Sequence, residues 1–206
     1  MLKSIFNVKL NFDRNIVVII VISTILLMLD RYHIFMKYKV LDRVVLYLIA
    51  PLLIIILVFR ENPKEYGFQI GDWKAGIVIT LGAVLLIGPV LWFVARSDAN
   101  MRAYYDRLNT PIMPLMTFLD LIGWEFFFRG WILFGFARKF GDHALWLQAV
   151  PFALAHLGKP EVETLSTIFG GFLFGLVAWR TKSFLYPFLI HWFVFSFTVI
   201  AAAWGM

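Results

Sequence analysis

Runs of apolar residues recur at about 16 to 29, 44 to 59, 75 to 95, 111 to 136, 144 to 157, 165 to 179 and 184 to 204. This recurrence constrains the fold more than any other feature. A hydrocarbon core of about 30 Å is crossed by roughly 20 apolar residues in a helix. Lipid offers no hydrogen bonds, so a spanning backbone must satisfy its own N–H and C=O groups, as a helix does. The pattern predicts an all-α, polytopic integral membrane helical bundle of about seven (six to eight) transmembrane helices. We read residues 1–206 as a single membrane domain. The runs at 144 to 157 and 165 to 179 are short for a crossing and carry polar residues, which suits broken, tilted or shielded segments.

Composition excludes the soluble alternative: 61% of residues are hydrophobic and 16% charged, against about 45–50% and about 25% in a soluble domain. Without cysteine, disulfides and thiolate metal sites are excluded, and any metal would rely on His, Asp or Glu. The net charge of +6 suits basic loops beside anionic lipid. No basic stripe has nucleic-acid spacing, so nucleic acid is not an expected partner. Lys3, Lys9 and Arg14 precede "NIVVIIVISTILLML", but that run ends in "MLDRYH" without a small-residue cleavage site, so it reads as a retained first helix. Ten Lys and Arg fall on the side of the N-terminal tail against eight on the other, a bias toward a cytoplasmic N-terminus. The polar stretch "RSDANMRAYYDRLNT", 96 to 110, reads as the longest loop. It separates an N-terminal half free of intramembrane ionisable residues from a C-terminal half that holds them.

Asp120, Glu125, Arg129, Gln148, His156 and His191 all lie within apolar runs. A charge at the centre of a spanning helix costs roughly 2.5–3.5 kcal/mol on an insertion scale, so such residues face a bundle interior or a wet cavity. In "LIGWEFFFRGW" a regular helix puts Glu125 and Arg129 about 40° apart on one face and about 6 Å apart along the axis, able to neutralise each other. That is a helix-orienting ion pair or part of a catalytic site. His156, ending "FALAH", and His191, within "FLIHWFVF", come from different helices. A carboxylate with two imidazoles can activate water or bind a metal, and a proton relay of a transporter is the remaining reading. Gly171 and Gly175 in "GGFLFG" have the spacing for close helix approach, and Phe126 to Phe128 read as core or lipid-facing side chains.

The order of these residues resembles the CPBP family of intramembrane proteases, which includes type II CAAX prenyl endopeptidases. Its motifs are E-E-x-x-x-R, F-x-x-x-H and H-x-x-x-N/D. "WEFFFRG" matches the first from its second glutamate onward, "FALAH" matches the second through Phe152 and His156, and His191 supplies the histidine of the third. The resemblance covers about residues 110–200, with the helices of 1–95 preceding it. It implies a membrane endopeptidase that hydrolyses a peptide bond in a membrane-associated peptide or protein, with or without a lipid attached. It also implies a cavity holding Glu125, Arg129, His156 and His191. Glu125, His156 and His191 would be the ligands if a metal is bound; the cofactor is zinc, another divalent metal, or none. Two positions depart from the family. The first glutamate, its principal water activator, is Trp124, whose indole N–H accepts no proton, and the final Asn/Asp is Phe195. Asp120, one turn before Trp124, is the residue expected to compensate in part. The alternative is a catalytically impaired relative that uses the cavity for binding, immunity or regulation.

Overall fold

In a computed structural model, residues 9–204 are described; Lys3 lies outside them. Helix α1 is Arg14–Tyr32, and Asp13 caps it by accepting from the amides of Asn15 and Ile16. Such a cap satisfies amides that a helix start leaves free. Helix α2 is Lys39–Phe59, with wider π-helical stretches at Val44–Ile49 and Ile54–Phe59. It ends where Arg60 turns left-handed (φ 58°). Helix α3 is Trp73–Ser97 and α4 is Ala99–Asp106. Helix α5 occupies residues 113–140 as Met113–Glu125, a π-helical stretch Phe126–Ile132, and Leu133–Phe140. Helices α6, α7 and α8 are Ala144–Ala155, Glu161–Thr181 and Leu185–Ala203.

The seven apolar runs correspond to α1, α2, α3, α5, α6, α7 and α8. Five of these, α1, α2, α3, α7 and α8, are long and apolar enough to cross a bilayer. The chain is a multi-pass integral membrane protein. The stretch 96 to 110, expected as a loop, instead contains α4. Asp98 caps that helix by accepting from the Met101 amide at 2.8 Å, and its buried Met101 and Tyr105 face the neighbouring helices.

Helix α5 is the axis of the bundle, with α2 and α8 against its first part and α1 and α6 against its second. Seven consecutive residues, Phe126 to Ile132, are therefore buried, a pattern possible only when a helix is enclosed on every side. Lipid tails are as apolar as these side chains, so close packing rather than water exclusion favours the arrangement. The rings of Phe128 and Phe152 meet edge-on at 5.3 Å, and those of Phe59 and Trp131 stack at 5.5 Å. Such pairs each contribute about 0.5–1.5 kcal/mol. Gly123 lets α2 approach α5, since a methyl group there would lie 2.8 Å from the Arg43 carbonyl oxygen.

Gly171 and Gly175 serve the close approach expected of them, between α7 and α6. A Cβ on Gly175 would lie 2.7 Å from Nε2 of Gln148. That amide donates to the Gly171 carbonyl at 2.7 Å and to the Leu145 carbonyl at 2.8 Å. Gln148 is thus accounted for as an interhelical tie.

The N-terminal half is richer in buried charge than expected. Asp30 and Asp42 are buried at the ends of α1 and α2. Asp42 accepts from the amides of Phe35 and Met36, closing the turn between the two helices. Both acids fall between the apolar runs at 16 to 29 and 44 to 59.

Candidate active site

Glu125 ends the α-helical part of α5, and Arg129 lies in the π-helical stretch that follows. Both are fully buried. Glu125 Oε2 stands 3.2 Å from Arg129 Nε, so the pair expected from the i, i+4 spacing forms. A π turn is wider than an α turn, and no guanidinium nitrogen makes an aligned hydrogen bond with a described group. The guanidinium carbon instead lies over the Phe152 ring, 3.8 Å from its centre, where the negative face of the ring attracts a cation.

The other carboxylate oxygen of Glu125 faces α8: Oε1 is 2.6 Å from Nδ1 of His191. The ion pair with Arg129 assigns the proton of this contact to Nδ1, which donates to the carboxylate and leaves Nε2 with a free lone pair. His156, just past the end of α6, has Nδ1 2.8 Å from the Phe152 carbonyl oxygen. A carbonyl only accepts, so Nδ1 carries the proton and Nε2 is again the basic nitrogen. The two imidazoles lie nearly parallel, 22° apart in plane and 6.4 Å between centres. Both line one cavity of about 330 Å³ bounded by α3, α4, α7 and α8.

Trp124 is buried, its indole N–H bonds to no described group, and its ring meets His156 edge-on at 5.7 Å. Away from that histidine it borders a second cavity of about 820 Å³ that also exposes Asp30, Arg31, Lys39 and Arg43. The indole thus stands where a glutamate of the family motif would, between a charged cavity and the histidine cavity.

The structure does not bring Asp120 to the histidines. Both its oxygens accept from one nitrogen of Arg43, at 3.0 and 2.8 Å. Arg43 also reaches Asp30 at 3.3 Å and covers the Trp124 ring at 5.0 Å. Asp120 and Trp124 do share a face of α5, but a cation from α2 has taken the carboxylate. The helical spacing that suggested compensation contained no information about Arg43, which is 77 residues away.

His156 and Glu125 share no hydrogen bond, and Glu125 is engaged by His191 and Arg129. Among the described residues no group of three or more His, Cys, Asp or Glu is placed to hold a metal ion. The side chains that the family resemblance implies as metal ligands do not fit that use in this arrangement, and no step below runs through a metal.

Sequence reasoning did not single out Tyr105, Lys159 and Glu163: Tyr105 and Glu163 line the same cavity, and Lys159 stands beside Glu163. Glu163 accepts from the Tyr105 hydroxyl at 2.5 Å and from Lys159 Nζ at 2.8 Å. Burial, reinforced by the charge of Glu163, holds the Tyr105 phenol well above its usual range, so it remains a donor. The available signals were "SDANM", with an N-cap before a helix, and "KPEVE", with proline and two acids opening α7.

Residues 106–197 match the family model described as type II CAAX prenyl endopeptidase Rce1-like. No curated protein matches the chain, and no solved structure does. The matched stretch contains Glu125, Arg129, His156 and His191, together with Trp124 and Phe195 at the divergent positions. The stretch that builds this site is therefore similar to type II CAAX prenyl endopeptidases of the Rce1-like kind, the family its residue order resembles.

Proposed function

We propose that the protein is a membrane endopeptidase that hydrolyses a peptide bond in a membrane-associated peptide or protein, with His191 as the general base. The observation that carries this reading is the 2.6 Å contact between Glu125 and His191. A buried carboxylate behind an imidazole fixes its tautomer and stabilises the imidazolium that forms when the ring takes a proton. Glu125 is then the residue that positions the base, and Arg129 holds the second carboxylate oxygen. His156 Nε2 accepts from the same water and orients it.

Water gives one proton to His191 Nε2 as its oxygen adds to the carbonyl carbon. Collapse of the adduct breaks the C–N bond, and the departing amine takes the proton from His191. This order of roles differs from the one the family motif implies, in which the first glutamate leads. Trp124 cannot fill that role, and its edge contact fixes the ring of His156 instead. The cavity is lined mainly by apolar groups of α3, α7 and α8, which suits a substrate carrying an acyl or prenyl chain.

The test uses purified protein in lipid nanodiscs with two quenched fluorescent peptides, one ending in a farnesylated CaaX sequence and one the same sequence without lipid. Wild type cleaves at least one of them, and His191→Ala and His156→Ala abolish cleavage. A binding or regulatory protein is the second reading, favoured by Trp124 and Phe195. Binding of the farnesylated peptide without cleavage by wild type decides for it.

A further inference from the structure

Addition of water to a carbonyl places negative charge on its oxygen, and the site must supply a group of opposite sign there. On the peptidase reading above, most polar groups at the cavity are already committed elsewhere. Both imidazoles direct their N–H groups away from the cavity, to Glu125 and to the Phe152 carbonyl. The hydroxyls of Ser166, Thr167 and Thr198 donate to carbonyls of their own helices, those of Glu163, Thr164 and Val194. The Tyr105 hydroxyl is engaged by Glu163. Arg129 is wholly enclosed and Trp124 borders the other cavity. Phe195, where the family has an amide or acid, offers no donor.

Lys159 remains. Its ammonium lies 5.4 Å from the centre of the Phe195 ring, itself part of the cavity wall. One of its three N–H groups goes to Glu163 Oε1 at 2.8 Å, leaving two, and its side chain is 20% exposed. The backbone fixes this position relative to His156: the Lys159 amide donates to the His156 carbonyl at 3.1 Å, and the Thr164 hydroxyl donates to the same oxygen at 3.0 Å. Glu163, held from the other side by Tyr105, braces the ammonium.

We propose that Lys159 is the electrophilic residue of this site, replacing the donor lost at Phe195, with Glu163 and Tyr105 as the residues that position it. In the addition step the electron pair of the C=O bond moves to oxygen opposite the ammonium, with no proton transferred from Lys159. On collapse the pair returns as the C–N bond breaks.

Two measurements on the full chain in nanodiscs test this. The first is cleavage of the farnesylated CaaX peptide. Lys159→Met lowers kcat by about 10²–10³-fold, the loss typical of removing one oxyanion donor, while KM changes little and Lys159→Arg recovers most of the rate. Wild-type kcat in Lys159→Met overturns the proposal and leaves His191 as base untouched. The second needs no turnover: binding of a phosphonamidate analogue, whose anionic oxygen mimics the adduct, against the uncharged ketomethylene analogue. Wild type prefers the phosphonamidate, and Lys159→Met reduces that preference at least tenfold. An unchanged preference overturns the proposal even if no peptide is cleaved. Loss of the preference in a wild-type-like fold that cleaves nothing sustains the anion site and rejects the hydrolytic reading. Glu163→Gln, which keeps the Lys159 ammonium but removes the carboxylate that braces it, lowers kcat less than Lys159→Met does.

Discussion

Changing Glu125 to Gln removes the one anion that, among the described residues, pairs with a fully buried guanidinium. At 3.2 Å two unit charges interact by about 5 kcal/mol at an effective dielectric constant of 20. Breaking a buried pair on one side costs about 3–5 kcal/mol, and placing an unpaired arginine in a spanning helix costs roughly 2.5–3.5 kcal/mol. The imperfect alignment of the pair favours the lower end, and we expect Glu125→Gln to destabilise the protein by about 3 kcal/mol. Glu125→Gln/Arg129→Met removes both charges, and apolar replacement of a buried pair is commonly neutral or stabilising. The double variant therefore regains most of the lost stability. It does not regain activity, because the neutral amide no longer stabilises the imidazolium of His191. Reversible unfolding in mixed micelles, followed by tryptophan fluorescence across the four-member cycle, measures the coupling. If Glu125→Gln stays within about 1 kcal/mol of wild type, or the double variant is no more stable than the single, Arg129 is not held by Glu125 as described.

Asp120→Asn weakens the tie between α5 and α2 by about 1 kcal/mol, since the partly exposed pair with Arg43 is screened. It leaves peptide cleavage intact, so parallel unfolding and activity assays separate Asp120 from the catalytic group. Gly123→Ala destabilises by about 1–3 kcal/mol, because the added methyl meets backbone, the Arg43 carbonyl, which cannot swing aside; micelle unfolding reads the loss. Tyr66, between α2 and α3, has its phenol raised above the usual range by burial and by its hydrogen bond to Glu61. The unfolded phenol releases its proton near pH 10 while the folded one keeps it. The stability it contributes is full below about pH 10 and falls as pH rises further, by up to about 1.4 kcal/mol per pH unit. Unfolding of wild type and Tyr66→Phe between pH 9 and 11.5 reads this, with the shallower slope in the variant.

The helical membrane class and the positions of seven helices were legible because apolar runs report burial in lipid directly. The functional constellation was legible only in part. Helical spacing placed Glu125 beside Arg129, but which histidine meets Glu125 depends on how α8 packs on α5, and local sequence does not encode that. The same limit applies to Asp120, whose neighbour is a cation from α2. Residues 96 to 110 read as a loop because the helix there is short and polar, and its apolar face, Met101 and Tyr105, is too brief to stand out as a run. With α4 unrecognised, Tyr105 could not be connected to Glu163, nor Glu163 and Lys159 to the loss of the donor at Phe195.

The most direct test of the central claim, that His191 held by Glu125 activates water for peptide hydrolysis, is cleavage of the farnesylated CaaX peptide in H₂¹⁸O with mass analysis of the fragments. Wild type is expected to place a single ¹⁸O in the new carboxyl group, with His191→Ala yielding no fragment. Fragment formation at the wild-type rate by His191→Ala, or no fragment from folded wild type, contradicts the account.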